Sequence, residues 1–176
     1  MKTLKLLFIL SIFFSAISCK EEQKPIEIPI QSGISTFYFI RHAEKDRSDP
    51  ENKNPELNQE GLGRAIKWAE VLDPVAIDAI YSTDFKRTTM TAAPTEIKKN
   101  LTLQPYSLSN LDIEAFKNDN LGKNVLVVGH SNTIPDFVNQ MLGEQKYPAM
   151  DDYDNGSLFI VRIIDGIPTD IRLKID

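Results

Sequence analysis

From Ser35 onward the sequence predicts an α/β fold: three layers, α/β/α, with a mostly parallel central sheet and an antiparallel hairpin at its C-terminal edge. Three observations predict it. Short apolar runs alternate with stretches whose apolar residues recur at helical spacing. The run Val125-Leu126-Val127-Val128 is apolar without alternation, as a strand buried on both faces has to be. Two final strand-like runs flank Asp165-Gly166, a dipeptide suited to a tight hairpin turn.

Taken in order, Ser35 to Ile40 reads as a short buried strand. Asn58 to Leu72 reads as a helix because Leu62, Ala65, Ile66, Ala69 and Leu72 share one face, and Asp73-Pro74 ends it. Ile77 to Ser82 is a second strand, followed by a helix from about Asp84 to Lys98. Leu101 to Tyr106 is a weaker strand, Leu111 to Asn118 a short helix, Asn124 to Gly129 a fully apolar strand and Ile134 to Leu142 another helix. Ser157 to Ile164 and Thr169 to Ile175 close the domain as a hairpin. Strand followed by helix, repeated, requires parallel strands, so the residues that follow the strands gather along one sheet edge, where ligands of open α/β folds bind.

The chain divides into three regions: residues 1–18, residues 19–32 and residues 33–176. In the first, Lys2 and Lys5 precede the apolar segment Leu6 to Phe14, which is too short for a comfortable membrane span and reads as an export signal. Ser15-Ala16-Ile17-Ser18 places small residues before Cys19, the only cysteine, and the arrangement resembles the lipobox of bacterial lipoproteins, with Ala16 where leucine is usual. That resemblance implies lipidation at Cys19 and a location in the bacterial cell envelope; the alternative is an ordinary leftover cysteine, odd as an unpaired thiol in an oxidising compartment. Residues 20–32, with Pro25 and Pro29 among polar and charged side chains, read as a tether between anchor and domain.

Without residues 1–18 the chain carries 18 basic and 25 acidic side chains, a net charge of −7, which argues against nucleic acid as a partner. With two histidines and one cysteine, no cluster of nitrogen or sulfur ligands is expected, and no metal or other cofactor is called for. Asp151-Asp152-Tyr153-Asp154-Asn155-Gly156 mimics a calcium loop but lacks its spacing and distal glutamate, and reads as a turn before the hairpin.

The residues at the predicted strand ends carry the chemistry. Arg41 and His42 follow the first strand, Ser82 to Arg87 the second, and Gly129-His130 the apolar fourth. Arginine presents a planar fork of donors that matches phosphate oxygens, and neutral imidazole is a competent nucleophile for phosphorus. Singly, each has an ordinary reading as an ion-pair partner or a satisfied core histidine. Jointly, both histidines and two arginines fall on one inferred edge.

Four motifs in order, Arg41-His42-Ala43-Glu44, Leu57-Asn58-Gln59-Glu60-Gly61, Ser82 through Ala92, and Gly129-His130-Ser131-Asn132-Thr133, resemble the histidine phosphatase superfamily, with its phosphoglycerate-mutase-like fold, from about Ser35 to the C-terminus. Ala43 stands where the most familiar members carry glycine. The resemblance implies that His42 is a nucleophile forming a phosphohistidine intermediate, and that Arg41, Arg87 and His130 complete a phosphate pocket. Asn132 and Ser131 either donate to the phosphate or cap the helix that follows, with capping the expected role. Family members often use a carboxyl group between the second arginine and second histidine as general acid; Asp112 and Glu114 lie there, each also readable as the acidic first turn of a helix. Glu44 is a third candidate, with Lys45 or Arg47 as its alternative partner.

The motifs lie close together in sequence, so little room remains for an inserted cap, and the implied site is open. The expected activity is therefore that of a metal-independent phosphatase acting outside the cytoplasm on a phosphorylated small molecule or phosphoprotein, phosphohistidine included, held to the membrane by a lipid anchor. Two alternatives remain: a noncatalytic lipoprotein of the same fold that binds an anionic ligand, and a phosphoglycerate mutase.

Overall fold

The computed structural model describes residues 33–175. The expected export signal, Cys19 and the tether therefore lie outside the described residues. Within them, β1 (Ile34–Arg41), α1 (Gln59–Val71), β2 (Ala79–Ser82), α2 (Lys86–Lys99), β3 (Leu103–Pro105), a 3-10 turn (Leu108–Asn110), α3 (Ile113–Asp119), β4 (Asn124–Gly129), α4 (Thr133–Leu142), β5 (Ser157–Ile164) and β6 (Ile167–Lys174) follow one another. The strands form one sheet in the order β3-β2-β4-β1-β5-β6. β1, β2, β3 and β4 pair in parallel, while β5 runs antiparallel to both β1 and β6. The expected mixed sheet with an antiparallel C-terminal hairpin is thus observed.

Alternation along the strands sorts the core into two layers. Phe37, Phe39, Val125 and Val127 pack with Phe116 of α3 and with Phe137, Val138 and Met141 of α4. Ile40, Ile80, Leu126 and Val128 point the other way, against Trp68 of α1 and Ala92 of α2. Successive side chains of a strand take opposite faces, so the apolar run of β4 serves both layers at once. All four residues from Val125 to Val128 are fully buried.

Element ends shift from the expected positions for local reasons. β2 begins at Ala79, one residue after Asp78, whose N–H donates to the Asn124 carbonyl and whose carboxylate, in place of its backbone carbonyl, accepts the Asn124 N–H, each at 2.8 Å. β6 starts at Ile167, directly after the turn, in which Asp165 (φ 51°) and Gly166 (φ 80°) take the left-handed conformations of a tight hairpin. α1 opens on Asn58, whose side chain accepts the Gly61 N–H at 2.8 Å. Gly61 is obligatory there: a Cβ would sit 2.1 Å from the Glu44 carbonyl oxygen, so the start of α1 can press on the loop leaving β1 only without a side chain.

Candidate active site

Register alone brings the predicted residues together. β1 and β4 are neighbours in which Arg41 pairs with Gly129, and the ladder continues one step further as the His42 N–H donates to the Gly129 carbonyl at 2.9 Å. Ser82 of β2 pairs with Val128, so Thr83 leaves the sheet beside His130 and leads into α2, whose first turn carries Arg87. The rings of His42 and His130 lie 5.5 Å apart, inclined at 65°.

His42 is almost fully buried. Its Nδ1 lies 2.8 Å from the Ala43 carbonyl oxygen, which can only accept, so Nδ1 carries the proton and Nε2 keeps its lone pair. Burial is the largest influence on its pKa, and the fields of Arg41, His130 and Arg87 act in the same direction, pulling it down to about 3. At neutral pH this histidine is an uncharged base with a nucleophilic nitrogen, fixed by a backbone carbonyl.

Arg41 is 1% exposed, an unusual place for a guanidinium. It donates from Nη1 to the Asp151 carbonyl at 2.9 Å and from Nη2 to the Asp152 carboxylate at 2.7 Å. Its Nε has no protein partner, nor do Nε and Nη1 of Arg87, although all three are buried. Buried donors left unpaired are costly, and an anion's oxygens are the acceptors that would satisfy them. Arg87 also lies over the face of Phe85, 4.4 Å from its centroid.

His130 is held from both ring nitrogens. Nε2 is 2.9 Å from Thr83 Oγ1, while Nδ1 faces Arg87 Nη2 at 3.4 Å. A guanidinium can only donate, so Nδ1 is the acceptor and Nε2–H donates to Thr83. Burial first, then Arg87, Arg41 and Lys45, lower the His130 pKa to about 4.

The remaining sequence-predicted residues are placed elsewhere. Asp112 is exposed and is the N-cap of α3, its Oδ1 accepting the N–H groups of Glu114 and Ala115, each at 3.0 Å. Glu114 pairs with Lys117 on the surface. Glu44 binds neither Lys45 nor Arg47; it pairs with Arg64 of α1 at 2.7 Å. Asn132 stands at the N-cap position of α4 but makes no side-chain cap bond, because its backbone is already in the helical conformation. The hydroxyl of Thr133 does the local work instead, accepting the His130 N–H at 3.1 Å. Ser131 takes part through its backbone carbonyl, which accepts the Met150 N–H at 2.7 Å.

Several residues that shape the site were not singled out in the sequence. Asp152 holds Arg41 and also binds Arg47 at 2.7 Å. Asn155 donates its side-chain amide to the His42 carbonyl at 2.7 Å. Both belong to the acidic turn before β5, over 100 residues away in sequence, and the only local signal was that cluster of acids. Tyr106, nearly buried, places its hydroxyl against Gly129: a Cβ at that glycine would lie 2.6 Å from it. Among the described residues, no group of three or more His, Cys, Asp or Glu side chains could hold a metal ion.

Residues 37–112 match the model of the histidine phosphatase superfamily (branch 1). Among solved structures, the protein histidine phosphatase SixA in complex with tungstate is 17% identical, with a TM-score of 0.61 over 79% of this chain and 96% of that one. A phosphoglycerate mutase from Bacillus anthracis is 16% identical, with a TM-score of 0.57 over 82% and 94%. A phosphoserine phosphatase from Entamoeba histolytica, solved with phosphoserine, is 15% identical, with a TM-score of 0.58 over 77% and 94%. No curated protein matches the chain. The fold is therefore phosphoglycerate-mutase-like, and the stretch that matches the histidine phosphatase superfamily is the one that carries Arg41, His42 and Arg87.

Proposed function

We propose that this protein is a metal-independent phosphatase that works through a covalent phosphohistidine at His42 on a phosphomonoester or phosphohistidine substrate. The observation that carries this reading is the state of His42: a buried, neutral imidazole, its Nδ1–H tied to the Ala43 carbonyl, beside two arginines with three unpaired buried donors. The superfamily match over residues 37–112 and the fold it shares with phosphatases support it.

In the first step the Nε2 lone pair of His42 attacks phosphorus, an N–P bond forms, and the bond to the leaving atom breaks with its electron pair departing on that atom. Arg41 and Arg87 surround the equatorial oxygens as charge develops, the preorganised electrostatics on which phosphoryl transfer depends. The long Arg87–His130 contact is weak, so a phosphate oxygen readily takes the place of His130 as acceptor of the Arg87 donor. In the second step water attacks phosphorus, the N–P bond breaks, the pair returns to Nε2, and phosphate leaves with the proton that water gives up.

We further propose, from the apolar segment Leu6 to Phe14 and the small residues before Cys19, that the protein is lipidated at Cys19 and held in the bacterial cell envelope. The noncatalytic alternative is disfavoured by the same neutral, fixed His42, since binding an anion needs no nucleophile.

Incubation of the full-length chain with a generic aryl phosphate tests the reading. His42→Ala should reduce phosphate release by a factor of at least about 10³, the loss expected when a covalent nucleophile is removed. Equal rates would sink the catalytic reading in favour of simple anion binding. Asp112→Asn should leave the rate unchanged, because that carboxylate is engaged in capping α3. For the anchor, Cys19→Ser should move the protein from membrane to soluble fraction.

A further inference from the structure

Beside His130 the surface opens into a depression of about 350 Å³. Its walls are Phe85, Tyr106 and Leu108, with Thr83, Thr133 and His130 toward the phosphate site. We propose that this depression receives the leaving group of the substrate and selects an uncharged planar ring, aromatic or heteroaromatic, bonded directly to the transferred phosphoryl group. The proposal rests on the phosphatase reading and names the substrate class of that site.

Three observations carry it. The first is continuity. His130 lines the depression, and its ring lies 5.5 Å from that of His42, whereas the polar depression around Lys45, Arg47 and Asn52 contains none of the four pocket residues. A group attached to a phosphoryl held between the two histidines has the Phe85 side open to it.

The second is the chemistry of the walls. Phe85 is 38% exposed, an aromatic ring kept at the surface. It stands perpendicular to His130 with centroids 5.0 Å apart, and Arg87 covers its face, so its orientation is fixed from two directions. The hydroxyl of Tyr106 is buried against Gly129, so the ring serves as a wall. Fixed aromatic edges and faces suit a flat apolar partner, and a preordered pocket loses little entropy on binding it.

The third is charge. No lysine or arginine lines the depression, and Asp84 is the carboxylate that does. Arg87, which covers the face of Phe85, is taken up by the phosphoryl group, so a leaving group bearing its own carboxylate or second phosphate would meet Asp84 without a cation of its own. An uncharged ring meets no such penalty. It also suits the acid–base chemistry: when the bond to phosphorus breaks, the electron pair falls on a ring-bonded oxygen or on a ring nitrogen, which holds it better than an alkoxide does and needs less proton donation. Asp112 caps α3, Glu114 pairs with Lys117, and Glu44 pairs with Arg64 through Oε1.

The test is calorimetric titration of the full-length chain with phenylphosphonate and with methylphosphonate, which cannot be hydrolysed and differ by the ring. Phenylphosphonate should bind at least tenfold more tightly, and Leu108→Asp should abolish that preference by weakening phenylphosphonate far more than methylphosphonate. Turnover gives an independent measurement without a variant: phenyl phosphate should exceed hexafluoroisopropyl phosphate at least tenfold in kcat/KM, although the two leaving groups are of similar acidity. Equal affinities and equal turnover, with phosphate release still dependent on His42, would overturn the ring subsite and leave the phosphatase reading standing. No phosphonate binding together with no His42-dependent release would overturn both. A ring preference that persists in Leu108→Asp would also overturn the placement of the subsite.

Discussion

The hydroxyl of Thr91 accepts the Ala43 N–H at 2.9 Å, joining the residue after the nucleophile to the second turn of the helix that carries Arg87. The same hydroxyl donates to the Arg87 carbonyl at 2.7 Å, so one buried oxygen sets the distance between the His42 backbone and the Arg87 backbone. Ala43 is the residue whose carbonyl fixes the His42 tautomer. A side chain in the middle of α2 therefore controls both the position and the protonation geometry of the nucleophile.

Thr91→Val keeps the shape of that side chain and removes the acceptor. The buried Ala43 N–H then has no partner, which costs about 1–3 kcal/mol of stability. Because the phosphate site is also loosened, kcat/KM should fall by about tenfold or more. Urea denaturation and steady-state kinetics on an aryl phosphate check the two effects separately, and Thr91→Ser, which retains the hydroxyl, should recover most of the rate.

Asp152 is a positioning residue. Its carboxylate holds the buried Arg41 at 2.7 Å, and losing it leaves that guanidinium with one fewer acceptor. Asp152→Ala should lower kcat/KM by about tenfold, whereas Asp152→Asn, whose amide oxygen still accepts, should lose less. A competitive inhibition constant for inorganic phosphate gives a second readout: it should weaken in parallel if Arg41 is the group displaced.

The two histidines make stability depend on pH with a definite sign. Their folded pKa values, about 3 for His42 and about 4 for His130, lie below the ordinary 6.5, so the unfolded chain takes up protons that the folded chain refuses. The stability linked to the neutral rings is complete above about pH 6.5 and is lost as the pH falls toward those lower values. The slope is at most about 1.4 kcal/mol per pH unit for each histidine. Denaturation midpoints measured from pH 7 to pH 4.5 should fall less steeply in His130→Gln than in the parent.

Gly129 and Tyr106 form a third coupled pair. A methyl group at 129 would meet the Tyr106 hydroxyl at 2.6 Å and the Ile134 side chain at 2.8 Å, so Gly129→Ala should cost about 1–3 kcal/mol and displace His130. The Tyr106 hydroxyl is buried without a hydrogen-bond partner, so Tyr106→Phe should be neutral or stabilising by up to about 1 kcal/mol. The double variant should be more stable than the sum of its parts, which a double-mutant cycle measures.

The strand–helix alternation is legible along the chain, because a strand buried on both faces and a helix buried on one leave different apolar periods. Parallel connection then required Arg41-His42, Ser82 through Arg87 and Gly129-His130 to share an edge, which is why those residues were legible without coordinates. Which groups hold them in place is a matter of the folded packing. Asp152 and Asn155 reach Arg41 and His42 from more than 100 residues away, across an antiparallel strand whose register no local pattern encodes. The carboxylates shared that ambiguity: at a helix start, the first-turn preference for acids and a demand for a proton donor select the same residue types, and the distinction is made by what lies within hydrogen-bonding reach. For Asp112 those partners are two amides of its own helix, and for Glu44 the guanidinium of Arg64. Periodicity is written along the chain, while reach belongs to the folded packing.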